Sequence, residues 1–399
     1  MNVRRVKAEQ IAKTNQVVKQ DENTWLVPSQ SGREPYLVAY RDDHLYCTCL
    51  DYEARQLPCK HIYAVQIVVL KWFDYKHKKA VQIHRPTYPQ NWVAYDKAQT
   101  QQKELFMKLL YDLCQTIEEA KQTGKGRPKL SMKDMVFSSA LKIFTTFSLR
   151  RFMTDMKQAK DMGYTKRISH FSMVSYYMEK EELTPILQEL IANSAMPLRS
   201  VETKFAIDST GFRTTLFNDY CREKHDMFKE HQWIKAHICA GVKTNIVTGV
   251  EITGEEGGDN PRFIPLAERT FDNGFDIEEI SADKAYSARV NFEAVEQMGG
   301  TAYIPFKNNA TGRSKGSFMW KKMFRYFVYN RDEFLRHYHL RSNIESTNNM
   351  IKAKFTDIVR SRNKTAQINE VLLKVLCHNI CVLIQEMFEL GIEPNFLGG

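Results

Sequence analysis

The spacing of apolar residues changes twice along the chain, and these changes divide it into segments. Short strand-like pieces separated by turn residues occupy the beginning, at Trp25–Val27, Tyr36–Val38 and His44–Tyr46. A helical pattern follows from His61 to Phe73. We therefore predict a small β-rich module that ends in a helix and spans residues 1–75.

The middle of the chain has a helical pattern with one interruption. Residues 76–130 are polar and mostly helical, and they end in a basic Gly/Pro stretch, Lys125–Lys129, which cannot be helical throughout. Beyond it, apolar residues return at helical spacing, at Met135, Val136, Ala140, Ile143 and Phe144. We predict a helical segment with a basic linker at 76–130 and a separate helical domain at 131–200.

The pattern changes again from Lys204 onwards. Strand-like stretches at 205–207, 234–242 and 246–252 precede a helix at 261–271, and strands at 277–282 and 301–305 flank a helix at 288–298. Helices fill most of the remainder. Three meandering strands followed by alternating helices and strands predict an α/β domain at 201–399, with a mixed sheet flanked by helices.

Charge and composition narrow the range of partners. Lys and Arg number 57 against 47 acidic residues, giving a formal net charge of +10 and a pI near 9.0. Such a balance favours a polyanion such as nucleic acid, although a merely soluble basic protein remains an alternative. No run approaches the ~18 apolar residues that span a bilayer, so we expect no membrane partner. Polar residues interrupt the most apolar stretch, Val371–Phe388, which favours a buried amphipathic helix.

Four potential metal ligands occur in two close pairs near the amino terminus. Cys47 and Cys49 are followed, after nine residues, by Cys59 and His61. This donor set suits tetrahedral Zn²⁺, and four protein ligands leave no open position, so the zinc would be structural. Clustered cysteines of this kind favour a reducing cytoplasm over a disulfide scaffold. The alternative is four coincidentally buried residues.

The order of these pairs, Cys-x-Cys and then Cys-x-His, resembles the SWIM-type zinc finger. That module occurs in some transposases and in other nucleic-acid proteins. It places its first pair at the end of a hairpin and its second pair at the start of a helix, as the pattern at 36–73 predicts. The resemblance leaves open whether the zinc module binds DNA or protein.

Two acidic residues close predicted strands of the α/β domain. Asp208 follows the first strand and Asp283 follows the fourth. Carboxylates at strand ends stand on a rigid frame at the functional rim of such domains. Taken singly, each has a plainer explanation, because acidic residues after strands commonly cap helices or form turns.

A third carboxylate lies in a patterned helical stretch. At ~100° per residue, Tyr338, Arg341, Glu345 and Lys352 fall on one face of a continuous helix. The plainer explanation is a surface ion pair between Arg341 and Glu345. Together, three separated carboxylates suit two-metal phosphodiester cleavage, because Mg²⁺ prefers hard oxygen ligands. Neighbouring cations would hold the substrate phosphates.

The spacing of Tyr338, Arg341, Glu345 and Lys352 resembles the "YREK" signature of DDE insertion-sequence transposases, and Asp208 and Asp283 match that family's first two acidic motifs. The resemblance covers about residues 200–390. It implies a ribonuclease H-like catalytic core, two Mg²⁺ (or Mn²⁺) ions held by Asp208, Asp283 and Glu345, and DNA contacts by Tyr338, Arg341 and Lys352. The implied activity is binding the ends of a mobile DNA element and moving it by cut-and-paste transposition.

The resemblance also implies partners and a location. We expect double-stranded DNA, both element ends and target, a homodimer on that DNA, and a cytoplasmic, nucleoid-associated protein. Only 62 positions separate Asp283 from Glu345. Some relatives carry a large β-insertion there that helps form a DNA hairpin, so its absence argues against a hairpin intermediate. Trp320 is a candidate for stacking on a flipped base or, alternatively, a core residue.

Two further segments are candidates for DNA contact. Arg127 and Lys129 lie in a Gly-Arg-Pro-Lys stretch that resembles half of an AT-hook, a minor-groove binder, with a solvated linker as the alternative. The basic helices at 131–196 suit a helix-turn-helix reader of the element ends, although packing alone explains their apolar residues.

Three functions remain open from the sequence. An active transposase needs all three carboxylates, and all three are present. A domesticated DNA-binding regulator has no need for an intact metal triad. A plain metal-dependent nuclease would share the metal site but would not need an end-recognising domain.

Overall fold

A computed structural model of the chain describes residues 3–13, 17–21, 23–29, 34–41, 44–68, 91–119, 129–214, 233–254, 256–313 and 315–396. The chain forms two compact units, and each consists of two separate stretches. The first unit comprises Met1–Pro89 and Phe306–His337. The second comprises Gln90–Pro305 and Tyr338–Gly399.

The first unit opens with an antiparallel sheet of four short strands. These are β1 (Val18–Lys19), β2 (Thr24–Val27), β3 (Tyr36–Arg41) and β4 (His44–Cys47), in the order β1-β2-β3-β4. Its helices are α1 (Val3–Lys13), α2 (Leu50–Arg55) and α3, helical over 60–68. The three predicted strands are therefore confirmed. The predicted helix is present through residue 68, and its last positions, 69–73, lie outside the described residues.

The second unit begins with helices. They are α4 (Trp92–Thr100), α5 (Gln102–Cys114), α6 (Met132–Thr145), α7 (Met153–Asp161), α8 (Phe171–Met178) and α9 (Leu183–Ala195). Side-chain caps start several of them, as where the Ser131 hydroxyl accepts a hydrogen bond from the Asp134 amide at α6. These helices belong to the same compact unit as the sheet that follows.

A five-stranded mixed sheet forms the centre of the second unit. Its strands are β5 (Lys204–Arg213), β6 (Trp233–Gly241), β7 (Val247–Gly254), β8 (Glu279–Ala282) and β9 (Thr301–Tyr303), in the order β7-β6-β5-β8-β9. β5, β6 and β7 are antiparallel, whereas β8 and β9 run parallel to β5. Helices α10 (Phe263–Asp272) and α11 (Arg289–Gln297) connect the later strands. The predicted order of elements in this mixed sheet is confirmed.

The remaining helices follow the sheet in the chain. They are α12 (Phe318–Tyr329), α13 (Arg331–Tyr338), α14 (Ser342–Phe355) and α15 (Lys364–Glu389). Consecutive residues of β6, from Ala236 to Gly241, are buried, and successive residues of a strand face opposite sides. Both faces of the sheet are therefore covered, with α9, α10 and α15 among the helices packed against it.

Helix α15 is the core helix of the second unit. It is long and apolar enough to cross a membrane by length and composition, but 78% of its most apolar window is buried inside the protein, as in a core helix. Two of its buried charged side chains, Glu370 and Lys374, have partners inside the protein. The carboxylate of Glu370 accepts from the amides of Arg360 and Ser361, and the ammonium of Lys374 donates to the carbonyls of Thr356 and Ile358. The predicted buried amphipathic helix is confirmed.

Asn379 on α15 joins three elements of this core. Its Oδ1 accepts from the Val247 amide at 2.9 Å, and its Nδ2 donates to the Val247 carbonyl at 2.7 Å. The same Nδ2 donates to the hydroxyl of Ser194 and the carbonyl of Ile191 on α9. One buried amide thus satisfies the first residue of β7 and ties it to α9.

We expect Asn379→Ala to lower the free energy of unfolding of the second unit by about 3 kcal/mol, because it leaves buried backbone groups unsatisfied and opens a cavity. Urea unfolding followed by circular dichroism measures the change. Asn349→Ala, at an exposed position on α14, is the matched control and should change stability by less than about 0.5 kcal/mol. Equal stability of the two variants would contradict the assigned role of Asn379.

Candidate functional site

Strand register brings the first two candidate carboxylates together. In the parallel pairing of β5 with β8, Ile207 stands opposite Ala282, the last residue of β8. The residues that follow are Asp208 and Asp283, so the two carboxylates leave neighbouring strands at the same level of the sheet. The negative charge of Asp283 is one of the influences that raise the pKa of Asp208.

The position of Asp208 within its strand differs from the prediction. Asp208 was predicted to end the first strand, but β5 continues to Arg213. The continuation pairs with β6 residue by residue, from Asp208 opposite Ile238 to Arg213 opposite Trp233. The stretch Ser209–Gly211 resembles a turn in sequence, yet the antiparallel partner keeps it extended. Asp208 is therefore at the end of the parallel pairing with β8, and in the middle of its own strand.

Asp283 sits where the sequence predicts, directly after β8. It also caps a short 3-10 helix, Lys284–Tyr286, and its Oδ1 accepts a hydrogen bond from the Lys284 amide at 2.6 Å. The capping interpretation is therefore confirmed for one carboxylate oxygen of Asp283.

Arg341 lies between two of the three carboxylates. One guanidinium nitrogen is 3.5 Å from Asp208 Oδ2, and another is 2.8 Å from Glu345 Oε1. The Arg341 side chain is 18% exposed, whereas that of Glu345 is 56% exposed. The ion pair predicted between Arg341 and Glu345 thus exists, and it extends inward to the carboxylate on β5.

Burial dominates the electrostatics of this group. It raises the pKa of Asp208, Arg341 lowers it, and Asp283 and Glu345 raise it further. The hydroxyl of Tyr338 is close enough to feel the same charges, and burial raises its pKa while Arg341 lowers it. Burial is thus the main cause of the raised pKa of Asp208, and Arg341 is the strongest influence that opposes it.

The common face predicted for Tyr338, Arg341, Glu345 and Lys352 depends on a continuous helix, and the structure interrupts that helix with a 3-10 turn. Helix α13 ends at Tyr338, a 3-10 turn spans His339–Arg341, and α14 starts at Ser342. The Ser342 hydroxyl donates to the His339 carbonyl at 2.9 Å, and such local bonds compete with regular helix geometry. Tyr338 and Arg341 therefore precede the helix that carries Glu345.

Lys352 lies away from the carboxylates, two turns further along α14 than Glu345. Its ammonium is 5.6 Å from the centre of the Phe212 ring. Burial lowers its pKa, and the nearby charge of Asp357 raises it. The structure thus groups Tyr338 and Arg341 with the three carboxylates and places Lys352 in a separate environment.

The four predicted zinc ligands converge in the first unit. The ligand atoms of Cys47, Cys49, Cys59 and His61 all lie within 4.8 Å of one another, and all four residues are buried. Cys47 ends β4, Cys49 caps α2, and His61 stands in the first turn of α3. The hairpin and the helix are the elements that the sequence predicts for this module.

These distances fit a tetrahedral zinc ion. His61 Nδ1 is 3.7 Å from Cys47 Sγ and 3.8 Å from Cys59 Sγ. Zn–S bonds of ~2.3 Å and Zn–N bonds of ~2.0 Å place neighbouring tetrahedral ligands roughly 3.5–3.8 Å apart. Tyr36 stacks on the imidazole at 4.5 Å and holds its plane. Four ligands and complete burial leave no room for a substrate, so this is a structural zinc site.

The three carboxylates are spaced differently. Among the described residues, the four zinc ligands form the one group of three or more His, Cys, Asp or Glu side chains whose ligand atoms all lie within 4.8 Å of one another. The carboxylates of Asp208, Asp283 and Glu345 are more widely spread around Arg341. Hard oxygen donors are the correct type for Mg²⁺, and the position of Arg341 shows that a cation fits between two of them.

The accessory candidates have different outcomes. Arg127 lies outside the described residues, and Lys129 is exposed. Trp320 is 5% exposed, and its ring nitrogen donates to the Thr311 carbonyl at 2.9 Å, so the core interpretation is confirmed. Between Asp283 and Glu345 the described residues contain helices and one strand, β9, which agrees with the absence of a large β-insertion.

Sequence reasoning assigned no role to Tyr286. It is 1% exposed, and burial raises the pKa of its hydroxyl, with additional effects from Asp259, Asp208 and Asp283. It therefore lies close enough to the two aspartates for their charges to act on its hydroxyl. The available signal was its position three residues after Asp283, one turn of the 3-10 helix away.

Comparison with known proteins agrees with this geometry. Residues 199–380 match the model of the family described as the transposase DDE domain, and residues 36–68 match that of the SWIM zinc finger. No curated protein and no solved structure matches the chain. The first match spans Asp208, Asp283 and Glu345, and the second spans all four zinc ligands. The chain therefore matches a transposase DDE domain over residues 199–380 and, in the same chain, a SWIM zinc finger over residues 36–68.

Proposed function

We propose that the protein is an active DNA transposase that binds the ends of its own element and moves it by cut-and-paste transposition. Its catalytic core would have the ribonuclease H-like fold, with Asp208, Asp283 and Glu345 as the catalytic triad. The observation that carries the proposal is that Arg341 pairs with Asp208 and Glu345, while Asp283 follows the neighbouring strand at the level of Asp208, within the segment that matches the transposase DDE domain.

In this mechanism Asp208, Asp283 and Glu345 would hold two divalent ions, Mg²⁺ or Mn²⁺. When bound, such ions activate the attacking hydroxyl or water and stabilise the leaving oxygen. Asp208 and Asp283 supply rigidly placed oxygens, because both extend from the sheet. Glu345 approaches from the first turn of α14, and its exposed side chain can adjust as ligands arrive.

Arg341 has two tasks in this scheme. Without substrate its guanidinium neutralises part of the charge of Asp208 and Glu345. Its guanidinium would also offer paired hydrogen bonds to a DNA phosphate, the geometry for which Arg is suited. Tyr338 and Lys352 would contact the same DNA, Tyr338 beside the triad and Lys352 further along α14.

The same proposal gives the partners and the location. The substrates would be double-stranded DNA at the element ends and at the target, bound by a homodimer that holds two ends together. The helices between 131 and 195, with Lys129 before them, would contribute to end recognition, as would Arg127. Such a protein would work in the cytoplasm on nucleoid DNA, with one structural zinc in its amino-terminal module.

Two other functions share parts of this site. A plain metal-dependent nuclease would use the same triad without joining DNA ends. A domesticated regulator would bind DNA without cutting it, and it would not require all three carboxylates. Both alternatives predict that a complete element is not excised.

Excision in cells tests the proposal. The native element, with its flanks, is placed on a donor plasmid, and repaired plasmids are counted with wild-type protein and with Asp208→Asn. We expect excision by the wild type and its loss in the variant, because the amide cannot serve as an anionic metal ligand. Asp272→Asn, an exposed position at the end of α10, is the matched control and should excise normally.

Absence of excision by well-expressed wild-type protein would favour the regulator. Cleavage of the donor without any joined product would favour the nuclease.

A further inference from the structure

The exposed side of helix α12 carries cations around one exposed aromatic ring. Phe318, Lys321, Lys322 and Arg325 occupy positions i, i+3, i+4 and i+7, which lie on one side of a helix. Phe318 is 69% exposed. The opposite side, with Met319, Trp320, Met323 and Phe327, is buried. We call the first set the α12 face.

Charge around the α12 face is strongly one-sided. The helix itself contains no acidic residue. Residues 306–337 include eight Lys or Arg and two acidic residues, a formal net charge of +6 within the +10 of the whole chain. The loop before the helix exposes Lys307, Arg313 and Lys315 as well. A surface of this kind attracts polyanions, because phosphate-rich ligands release counterions when they bind it.

The carboxyl end of α12 is fixed by the zinc module. Tyr329 stacks on Tyr40 of β3 at 4.6 Å and lies 6.3 Å from the ring of Trp25. Its hydroxyl accepts a hydrogen bond from Gln66 Nε2 on α3 at 3.1 Å. Burial strongly raises the pKa of that hydroxyl. The core that holds the zinc ligands therefore also holds this helix, which comes from a stretch more than 230 residues away in sequence.

We propose that the α12 face binds the phosphate backbone of duplex DNA, and that the zinc module serves to hold it in position. Lys321 and Lys322 would pair with phosphates, and Phe318 would pack against the adjacent sugars. The proposal rests on the proposed function for its ligand, and charge complementarity selects that ligand. The direct partner of the zinc module is then a helix of its own chain, and its contribution to DNA binding is indirect.

Salt-dependent DNA binding tests this inference. The full-length protein with Asp208→Asn binds without cutting, and a fluorescein-labelled 40-bp duplex from the element end is the probe. We compare it with the same protein carrying Lys321→Gln and Lys322→Gln. The affinity should fall about 10-fold at ~0.1 M salt, and the slope of log affinity against log salt should weaken by about two, since each phosphate contact contributes ~0.9.

A charge-matched pair shows whether position matters. Lys108→Gln with Lys243→Gln removes the same charge from exposed positions of the second unit and should leave the slope unchanged. Zinc content of one per chain in all variants shows that the first unit is folded. An equal loss in the control pair, or an unchanged slope in the α12 pair, would overturn the inference.

Two results separate this inference from the proposed function. If the wild type excises its element while the α12 pair binds DNA normally, the inference alone fails. If the α12 pair loses affinity while the wild type never excises, the transposase proposal fails and the DNA-binding face stands. A changed sedimentation coefficient of the α12 pair without DNA would assign the face to a second copy of the chain and overturn the inference.

Discussion

Glu345→Gln should reduce DNA cleavage by more than about 100-fold and leave DNA affinity within about twofold of the wild type. Changes to residues that merely support metal ligands commonly lower activity 10–100-fold, so loss of a ligand should exceed that range. Affinity is kept because no cation is removed. The fold is kept because the lost contact, Arg341 to Glu345, is a partly exposed ion pair worth at most about 1 kcal/mol.

The measurements are cleavage of a labelled element end in Mg²⁺ and binding of the same DNA without divalent ions. Glu268→Gln changes the same charge at an exposed position on α10, so it controls for the loss of one carboxylate. We expect it to cleave at the wild-type rate. If Glu345→Gln lost binding and cleavage to the same extent, Glu345 would be a DNA-positioning residue and its role as a metal ligand would be wrong.

The elements of the second unit were predictable because each has a clear local pattern. Apolar runs mark β5, β6 and β7, and the helices between later strands have helical spacing of their apolar residues. The meeting of Asp208 and Asp283 also followed, since carboxylates after strands of one α/β sheet share an edge. The third carboxylate, Glu345, was identified from its spacing to Tyr338 and Arg341. This local spacing remains informative although a 3-10 turn interrupts the helix.

The details that failed depend on contacts between distant residues. β5 extends past Asp208 because β6 pairs with it up to Arg213. The local sequence Ser209–Gly211 does not predict this pairing. At the 3-10 turn before α14, the Ser342 hydroxyl donates a hydrogen bond to the backbone carbonyl of His339. In a continuous α-helix that carbonyl would accept from a backbone amide four residues later. The spacing of Lys352 predicts that it shares a helix face with Glu345. In the structure its neighbours are instead the Phe212 ring and Asp357.

The composition of the first unit was beyond local reasoning altogether. The sequence predicts the zinc module and the helix α12 separately, and nothing in either segment states that Tyr329 enters the core beside Trp25 and Tyr40. This contact between distant segments depends on complementary shape and on the hydrogen bond that the buried Tyr329 hydroxyl accepts from Gln66. Pairing of this kind becomes visible only in three dimensions.

Cys59→Ser should remove zinc and unfold the first unit while the second unit stays folded. Structural zinc contributes on the order of 10–16 kcal/mol to small domains, which exceeds or equals the usual stability of such a unit. Because Tyr329 shares the core of the zinc module, the loss should extend to residues 306–337. Substitution of Cys59 should therefore also unfold α12, which lies more than 250 residues later in the chain.

Hydrogen exchange followed by mass spectrometry locates the effect. Peptides from β2, β3 and α12 should lose protection, whereas peptides from β5, β6 and α15 should keep it. Cys114→Ser changes a buried thiol of the second unit that is not a zinc ligand, and it should retain one zinc per chain and full protection of β3. Two results would contradict the assignment. An unchanged zinc content in Cys59→Ser would remove Cys59 from the ligand set, and protected α12 peptides after zinc loss would show that this helix is held independently of the metal.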